Sequence, residues 1–359
     1  MRMNRCRALL LASVLLPAST YALDWEIEMP FEDTIFPSIV VGMRGFMKEE
    51  DMKETEIGDP IGMIGASITA PEDDFEVKVT VEETDFFKKS TIKATLPKKG
   101  KTYSVMPLLR YDVSNLLKHK QKGFDTAHVT VETADGEYED TKRFEVRSIN
   151  DCVLGLTHND EFINTRFLFA AYVNENNPAL DKILGYALKQ GYVDSFIGYQ
   201  GTRGDVVKQA TAIYKALQDM GFKYSSITGA SGESETIFTQ HIRFVGESLD
   251  TSQANCIDGT VMMASLFMKI GLNPVIICVP GHAYVGVYKS TAAELEFLVP
   301  IETTVVGNSS FDHAVKLGKE SMAEHAEDFA DSENMSCLII NVRDARDMGI
   351  DPIQEADVP

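Results

Sequence analysis

The pattern of apolar residues changes abruptly near residue 150, and this change restricts the chain to a fold with both strand-rich and helix-rich parts. From about Phe75 to Asn150, apolar and polar residues alternate, as in "FEVKVTVEE" and "KRFEVRS". Alternation with period two indicates strands that have one wet face. Turn signals such as "LPKKGK" and "ADGE" separate these runs, which favours an antiparallel β-sandwich.

The residues after "RSINDC" have helical spacing instead. "PALDKILGYALKQ" and "DVVKQATAIYKALQDMG" carry apolar residues every three to four positions, and the second segment ends at a glycine that suits a helix C-cap. Short apolar runs such as "PVIICV" follow and predict buried strands. We therefore predict an α+β chain, with an immunoglobulin-like β-sandwich accessory domain over residues 23–150 and a second domain of helices and strands over 151–359.

The first 22 residues, "MRMNRCRALLLASVLLPASTYA", have the three parts of a secretory signal peptide. Arginines precede the apolar stretch Ala8–Pro17, and small residues stand at Thr20 and Ala22, where a signal peptidase would cleave. The apolar stretch is shorter than the roughly 20 residues that span a bilayer. A retained membrane anchor is the alternative. We expect a soluble mature protein that is periplasmic or secreted and has no membrane span after cleavage.

The chain is strongly acidic, with a formal net charge of −20. So acidic a surface repels nucleic acid and anionic lipid, so neither is an expected partner. The sequence contains no phosphate-binding loop and no dinucleotide fingerprint. We predict no cofactor, no metal ion and a protein or peptide as partner; the oligomeric state is left open.

Four cysteines remain after removal of the leader: Cys152, Cys256, Cys278 and Cys337. An even number in an oxidising compartment permits disulfides, although four are sparse for a chain of this length. Cys278 lies within "VIICV", a pattern typical of a buried apolar position. Pairing of Cys152 with Cys337, and of Cys256 with Cys278 or another cysteine, are the open alternatives.

The stretch "QANCIDGT" places Cys256 at a predicted helix start. Asn255 is a favoured N-cap, and "CIDGTVMMASLFMKIG" predicts a buried helix that ends at Gly271. The strand "PVIICV", a Pro-Gly bend and the strand "HAYVGVY" follow, with His282 at the start of the second strand. Helix, strand and returning strand can bring Cys256 and His282 together as a reactive pair. The alternative is that both are core residues.

A helix start alone does not make a cysteine reactive. An ordinary thiol has a pKa near 8.5 and is only a few per cent ionised at neutral pH. A helix N-terminus contributes about 0.3–1 kcal/mol, up to about 2, which corresponds to about one pKa unit. A neighbouring imidazolium is needed to lower the pKa of the thiol further. The contact with His282 is therefore the deciding feature.

The sequence also offers candidates for the acceptor that orients the imidazole and for the donors to an oxyanion. The imidazole needs an acceptor for its second nitrogen, and Glu302, at the end of the predicted strand "ELEFLVPIETT", is the best candidate. Asp258 is too close to the helix start for this role and is predicted to cap the helix. The backbone N–H of Cys256 and the side chain of Gln253 are the candidate oxyanion donors. A solvated loop position explains Gln253 equally well.

The order "ANCIDGTVMMASLFMKIGLNPVIICVPGHAYVGV…PIETT" resembles the transglutaminase-like superfamily, within the broad papain-like cysteine fold. The resemblance covers roughly residues 205–305. It implies a nucleophilic Cys256, a base at His282 and a third member at Glu302. Two departures stand out, because the third position is usually aspartate in that family, and Tyr284 occupies the place nearest to a common tryptophan.

The resemblance implies a cysteine enzyme that transfers an acyl group at an amide bond, and the predicted signal peptide implies that it is exported. We favour hydrolysis, as in a peptidase or amidase, over cross-linking, because no amine-binding acidic groove is recognisable. The alternative is a catalytically inactive transglutaminase-like module that serves binding or assembly. The later segment "MAEHAEDFADSE" is predicted to be a solvated helix face.

Overall fold

The computed structural model describes residues 23–46, 52–158, 161–225, 234, 236–331 and 335–355. The predicted signal peptide, residues 1–22, lies outside the described residues, as does the end of the chain after residue 355. The described chain is a mixed α+β fold with several sheets. Over the residues described, no helix combines the length and the hydrophobicity that crossing a bilayer requires.

The strands are β1 Trp25–Glu28, β2 Thr34–Ile35, β3 Glu56–Gly58, β4 Gly65–Thr69, β5 Phe75–Val81, β6 Phe87–Lys88, β7 Ser90–Leu96, β8 Thr102–Met106, β9 Arg110–Tyr111, β10 Gly123–Thr133, β11 Gly136–Val146, β12 Asp151–His158, β13 Glu161–Asn164, β14 Lys223–Tyr224, β15 Ile237–His241, β16 Gln253–Ala254, β17 Pro274–Val279, β18 His282–Tyr288, β19 Leu298–Ile301 and β20 Leu338–Asn341. The helices are α1 Pro30–Asp33, α2 Pro37–Gly42, α3 Val113–Lys118, α4 Leu180–Lys189, α5 Arg203–Asp219, α6 Val245–Thr251, α7 Cys256–Lys269, α8 Phe311–Glu324, α9 Ala326–Ala330 and α10 Val342–Asp347, with 3-10 helices at Arg166–Tyr172 and Leu295–Phe297.

Two sheets occupy the region where the sequence alternates. One has the strand order β1-β4-β8-β3, and the other has the order β2-β11-β10-β5-β7. In β5, Phe75, Val77 and Val79 point into the core while the residues between them are more exposed, as the alternation predicts. The run "TYSVMPLLRYD" also alternates, but it forms two strands, because β8 ends at Met106 and β9 begins at Arg110. Pro107 follows β8 and has no N–H to donate to a sheet.

The later part of the chain contains two antiparallel sheets that carry the candidate site. One has the order β13-β12-β15, and the other has the order β19-β18-β17-β20. Every residue of β17 is buried, which is why "PVIICV" is apolar throughout. Residues on one face of β17 and β18 join the main core with α7, and those on the other face form a second apolar cluster.

The main core continues across the predicted boundary near residue 150. Val146 and Ile149 before it and Cys152 and Val153 after it belong to the same apolar cluster. The division of the chain at this point remains a prediction.

Helix α7 begins and ends where its sequence indicates. The Asn255 side chain accepts from the Asp258 N–H at 2.9 Å, and the Asp258 side chain accepts from the Asn255 N–H at 3.0 Å. This reciprocal capping box confirms the predicted cap. The helix ends at Lys269, and Gly271 follows with a φ of +79°, a conformation that glycine adopts without strain.

Candidate active site

Cys256 is the first residue of α7, and its backbone is held from two sides. The Thr260 hydroxyl donates to the Cys256 carbonyl at 2.7 Å, and the Thr303 hydroxyl donates to the same oxygen at 3.3 Å. A Cβ at Gly259 would lie only 3.2 Å from the Thr303 side chain, so glycine permits this close approach. The cysteine therefore has a fixed backbone position at the end of a buried helix.

A buried charge supports the same helix start. Asp258 is fully buried, and besides capping the helix it accepts from the Arg243 N–H at 2.8 Å. The Arg243 guanidinium lies 3.4 Å from its second oxygen. Burial raises the pKa of Asp258, while these hydrogen bonds and the arginine charge act in the opposite direction. Asp258 is thus engaged in capping and in the contact with Arg243.

His282 begins β18, directly after a bend in which Gly281 has a φ of +71°. Its Nε2 N–H donates to Glu302 Oε2 at 2.7 Å. With Nε2 engaged, Nδ1 is the ring nitrogen that can serve Cys256, whose side chain is within hydrogen-bonding reach of His282. The structure therefore brings together the three predicted residues Cys256, His282 and Glu302.

The electrostatics of this cluster favour a protonated imidazole. The hydrogen bond with Cys256, and then the hydrogen bond and charge of Glu302, raise the pKa of His282 to about 10, although burial acts to lower it. An imidazolium of this kind is the partner that stabilises a cysteine thiolate. His282 is thus the neighbouring group that Cys256 needs in addition to the helix start.

Glu302 follows β19 and is nearly buried. Its Oε1 accepts from the Thr304 backbone N–H at 2.9 Å and from the Thr304 hydroxyl at 2.7 Å, so both carboxylate oxygens are engaged. Burial raises the pKa of Glu302, but the hydrogen bonds from His282 and Thr304 outweigh it, and the pKa lies below its usual value. Thr304 is not among the residues predicted from the sequence; its signal is a hydroxyl residue two positions after a carboxylate.

A cavity of about 360 Å³ opens beside Cys256 and His282. Much of its wall is apolar, with Leu154, Phe162, Phe169 and Phe238 among its lining residues. These residues could not be predicted from the sequence, because they come from β12, β13, β15 and a 3-10 helix and share no sequence motif.

Two aromatic rings at this cavity are exposed. Phe162 is 51% exposed and Phe238 is 44% exposed, and their ring centroids lie 5.9 Å apart. A Cβ at Gly155 would lie 2.4 Å from the Phe162 ring, so the ring occupies space that only glycine leaves free. Phe162 is therefore seated against the β12 backbone while much of its surface remains in solvent.

The two glutamines nearest the site differ in position. Gln253, the predicted oxyanion donor, is half-buried in β16, which pairs with β14, and it is absent from the described residues that line the cavity. Gln240 of β15 does line the cavity, and its Nε2 donates to the His241 carbonyl at 3.0 Å. Gln240 is not among the predicted site residues, since only the pairing of β15 with β12 brings it to the site.

The four described cysteines are free thiols. Cys278 is buried, as its sequence context predicts, and it lines the same cavity as Cys256. Tyr284 is fully buried in the apolar cluster on the other face of the sheet, with its ring centroid 5.8 Å from that of His282.

Comparisons with protein-family models, with curated proteins and with solved structures find no match to this chain. What the site can do therefore rests on its own geometry. That geometry is a cysteine at a helix start, a histidine held between the cysteine and a buried carboxylate, and an apolar cavity beside them.

Proposed function

We propose that this protein is an exported cysteine enzyme of the transglutaminase-like type, which transfers an acyl group at an amide bond. The observation that carries the proposal is the ordered contact of Cys256, His282 and Glu302. A nucleophile, a base and an acceptor that orients the base are the parts that covalent acyl transfer needs. We also assign residues 151–359 to a transglutaminase-like, papain-like domain and residues 23–150 to an immunoglobulin-like accessory domain.

The reaction begins from a thiolate at Cys256 paired with an imidazolium at His282. The sulfur attacks the amide carbonyl, forming a carbon–sulfur bond and an oxyanion. As the carbon–nitrogen bond breaks, His282 donates its Nδ1 proton to the leaving amine and becomes neutral. Glu302 holds the ring through Nε2 throughout, so that Nδ1 stays directed at the reacting atoms.

The second half returns the enzyme to its starting state. Neutral His282 removes a proton from water, whose oxygen attacks the thioester, and Cys256 leaves as the thiolate. The backbone N–H at the start of α7 is one donor for the oxyanion, because the first amides of a helix have no partner within it. A glutamine side chain is the second donor that we propose, with Gln240 and Gln253 as the two candidates.

The cavity wall supports hydrolysis of peptides over amine transfer. Among the described residues that line the cavity there is no aspartate or glutamate, and Arg166 contributes a positive charge. A lysine amine would gain no attraction there and would meet a like charge. The exposed rings of Phe162 and Phe238 suit an apolar side chain next to the attacked amide. We therefore propose a peptidase or amidase that prefers apolar residues at this position.

A non-catalytic binding module is the second candidate, and one observation favours it. Tyr284, in the place nearest to the family's tryptophan, is buried in the second apolar cluster and is not among the described residues that line the cavity. It therefore cannot supply a donor to an oxyanion. In this alternative the same cavity would bind a peptide without cleaving it.

Incubation with a denatured protein substrate and a fluorescent primary amine distinguishes these possibilities. We expect new peptide ends without incorporation of the amine, loss of cleavage in Cys256→Ala, and retention of cleavage in the control Cys152→Ala. Amine incorporation would identify a cross-linking enzyme instead. Equal behaviour of wild type and Cys256→Ala would reject the enzymatic proposal in favour of the binding module.

The two glutamine candidates are separated by the same assay. Gln240→Ala and Gln253→Ala should differ, with the true donor costing about a hundredfold or more in kcat. If neither variant loses activity, the second donor is a backbone group.

A further inference from the structure

Three side chains that bind metals meet at a second place, outside the candidate active site. His325 links α8 to α9, Asp328 lies in α9, and Cys337 immediately precedes β20. His325 Nδ1 lies 3.1 Å from Asp328 Oδ2, and Cys337 Sγ lies 4.0 Å from the same oxygen. All three ligand atoms are within 4.8 Å of one another. The sequence predicts only a solvated helix face here, because Cys337 is separated from the histidine by a further stretch of chain.

These separations are close to those of a tetrahedral metal site. Ligands at about 2.3 Å for sulfur and about 2.0–2.1 Å for nitrogen or oxygen lie about 3.3–3.6 Å from one another when arranged tetrahedrally. The observed 3.1 Å and 4.0 Å bracket this range. Small side-chain rotations would therefore place the three atoms around one ion.

The chemistry of the donors selects the metal. One thiolate, one imidazole and one carboxylate form a mixed set that suits zinc better than the hard cations calcium and magnesium, which take oxygen ligands. Cys337 is only 4% exposed, whereas the side chains of His325 and Asp328 are 23% and 38% exposed. The sulfur is thus on the protein side of the cluster, and the other two ligands are on the solvent side.

We propose that His325, Asp328 and Cys337 bind one zinc ion, through Nδ1, one carboxylate oxygen and Sγ, with water in the fourth position. Binding releases the thiol proton of Cys337 to solvent and moves the ring proton of His325 from Nδ1 to Nε2. Bonds to the metal replace the hydrogen bonds that His325 and Cys337 make to Asp328. The ion joins the α8–α9 junction to the residue that precedes β20.

The position of this site connects it to the cavity. The carbonyls of Met335 and Ser336, next to Cys337, accept hydrogen bonds from the Arg166 guanidinium, which lines the cavity beside Cys256. A metal bond to Cys337 would fix the backbone that holds Arg166. The site would therefore stabilise the cavity wall without touching the substrate.

The test uses the purified full chain, stripped of metal with a chelator and titrated with Zn²⁺ or Co²⁺ alone. We expect one zinc per chain by calorimetry, and with cobalt a sulfur-to-metal charge-transfer band. Cys337→Ala should abolish the band, and His325→Gln and Asp328→Asn should each weaken zinc binding by at least about tenfold, since even residues behind the ligands cost 10–100-fold. The matched controls are His313→Gln, an exposed histidine of α8, and Cys256→Ala.

Each result decides the proposal. Absence of binding in the wild type, a cobalt band that persists in Cys337→Ala, or loss of the band in Cys256→Ala would overturn it. Circular dichroism establishes whether each variant is folded, and His325→Gln and Asp328→Asn keep the test valid if Cys337→Ala is not. Because these readouts do not depend on cleavage, failure of the zinc site is distinguishable from failure of the proposed enzyme.

Discussion

Replacing Glu302 by glutamine should lower the pKa of His282 by about one to two units. The carboxylate oxygen lies 2.7 Å from Nε2, a hydrogen bond between charged groups. Such a bond contributes about 1.5–3 kcal/mol, and 1.36 kcal/mol corresponds to one pKa unit, so removing the charge costs the imidazolium about one to two units. The pKa of His282, about 10 in the wild type, would then fall to about 8–9.

The assay is an NMR titration of the histidine ring signals. The chain has seven histidines, and the signal that disappears in His282→Gln identifies the right one. Glu296→Gln, at an exposed glutamate shortly before β19, is the matched control and should leave the signal unchanged. Cys256→Ala should also lower the pKa of His282, because the hydrogen bond with Cys256 is the largest of the causes that raise it.

A pKa of His282 near its usual value of 6.5 in the wild type would refute this prediction. A change in the pKa of His282 that is no larger in Glu302→Gln than in Glu296→Gln would refute it as well. The first outcome would mean that the ring does not carry the charge on which the thiolate depends, and the second would mean that Glu302 does not stabilise that charge.

Three other predictions concern the same site. Folding raises the pKa of His282, so the contribution of its charge to stability is complete below about pH 6.5 and is lost as the pH rises toward about 10. Urea unfolding should therefore show that His282→Gln destabilises the protein more at about pH 6 than at about pH 10. Thr304→Val removes a hydroxyl donor 2.7 Å from Glu302, so the pKa of that carboxyl should rise and acid unfolding should begin at higher pH. Thr304→Ser keeps the hydroxyl and is the control, which should unfold in acid as the wild type does. Gly155→Ala should displace the Phe162 ring. Like Phe162→Ala, it should lower kcat/KM by about tenfold for peptides with apolar residues and leave kcat/KM for peptides with small residues unchanged. Equal losses for both classes of peptide would contradict the proposed apolar wall.

The parts of this fold that local chemistry determines could be predicted from the sequence. Asn255 and Asp258 cap α7, Gly271 follows its end, and the apolar run "PVIICV" is a fully buried strand. Each depends on neighbours within a few residues, so one segment contains all the information. Pro107, which follows β8, is an equally local signal, because it has no N–H to donate to a sheet.

The surroundings of the site could not be predicted in this way. Phe162, Phe238 and Gln240 become neighbours only because β13 and β15 pair with β12. Likewise, Cys337 reaches Asp328 because β20 pairs with β17, which fixes the start of β20 beside the α8–α9 junction. Pairing across such distances depends on the whole core, and no motif in one sequence records it.

The central proposal is that His282 stabilises Cys256 as the nucleophilic thiolate. The most direct measurement is the rate of iodoacetamide labelling of Cys256 as a function of pH, read by peptide mass spectrometry in the wild type and in His282→Ala. Cys256 is half-buried whereas Cys152, Cys278 and Cys337 are buried, so it should label first. We predict fast labelling of Cys256 well below pH 7 that the variant loses; slow labelling in both proteins that rises only near about pH 8–9, as for an ordinary thiol, would contradict the claim.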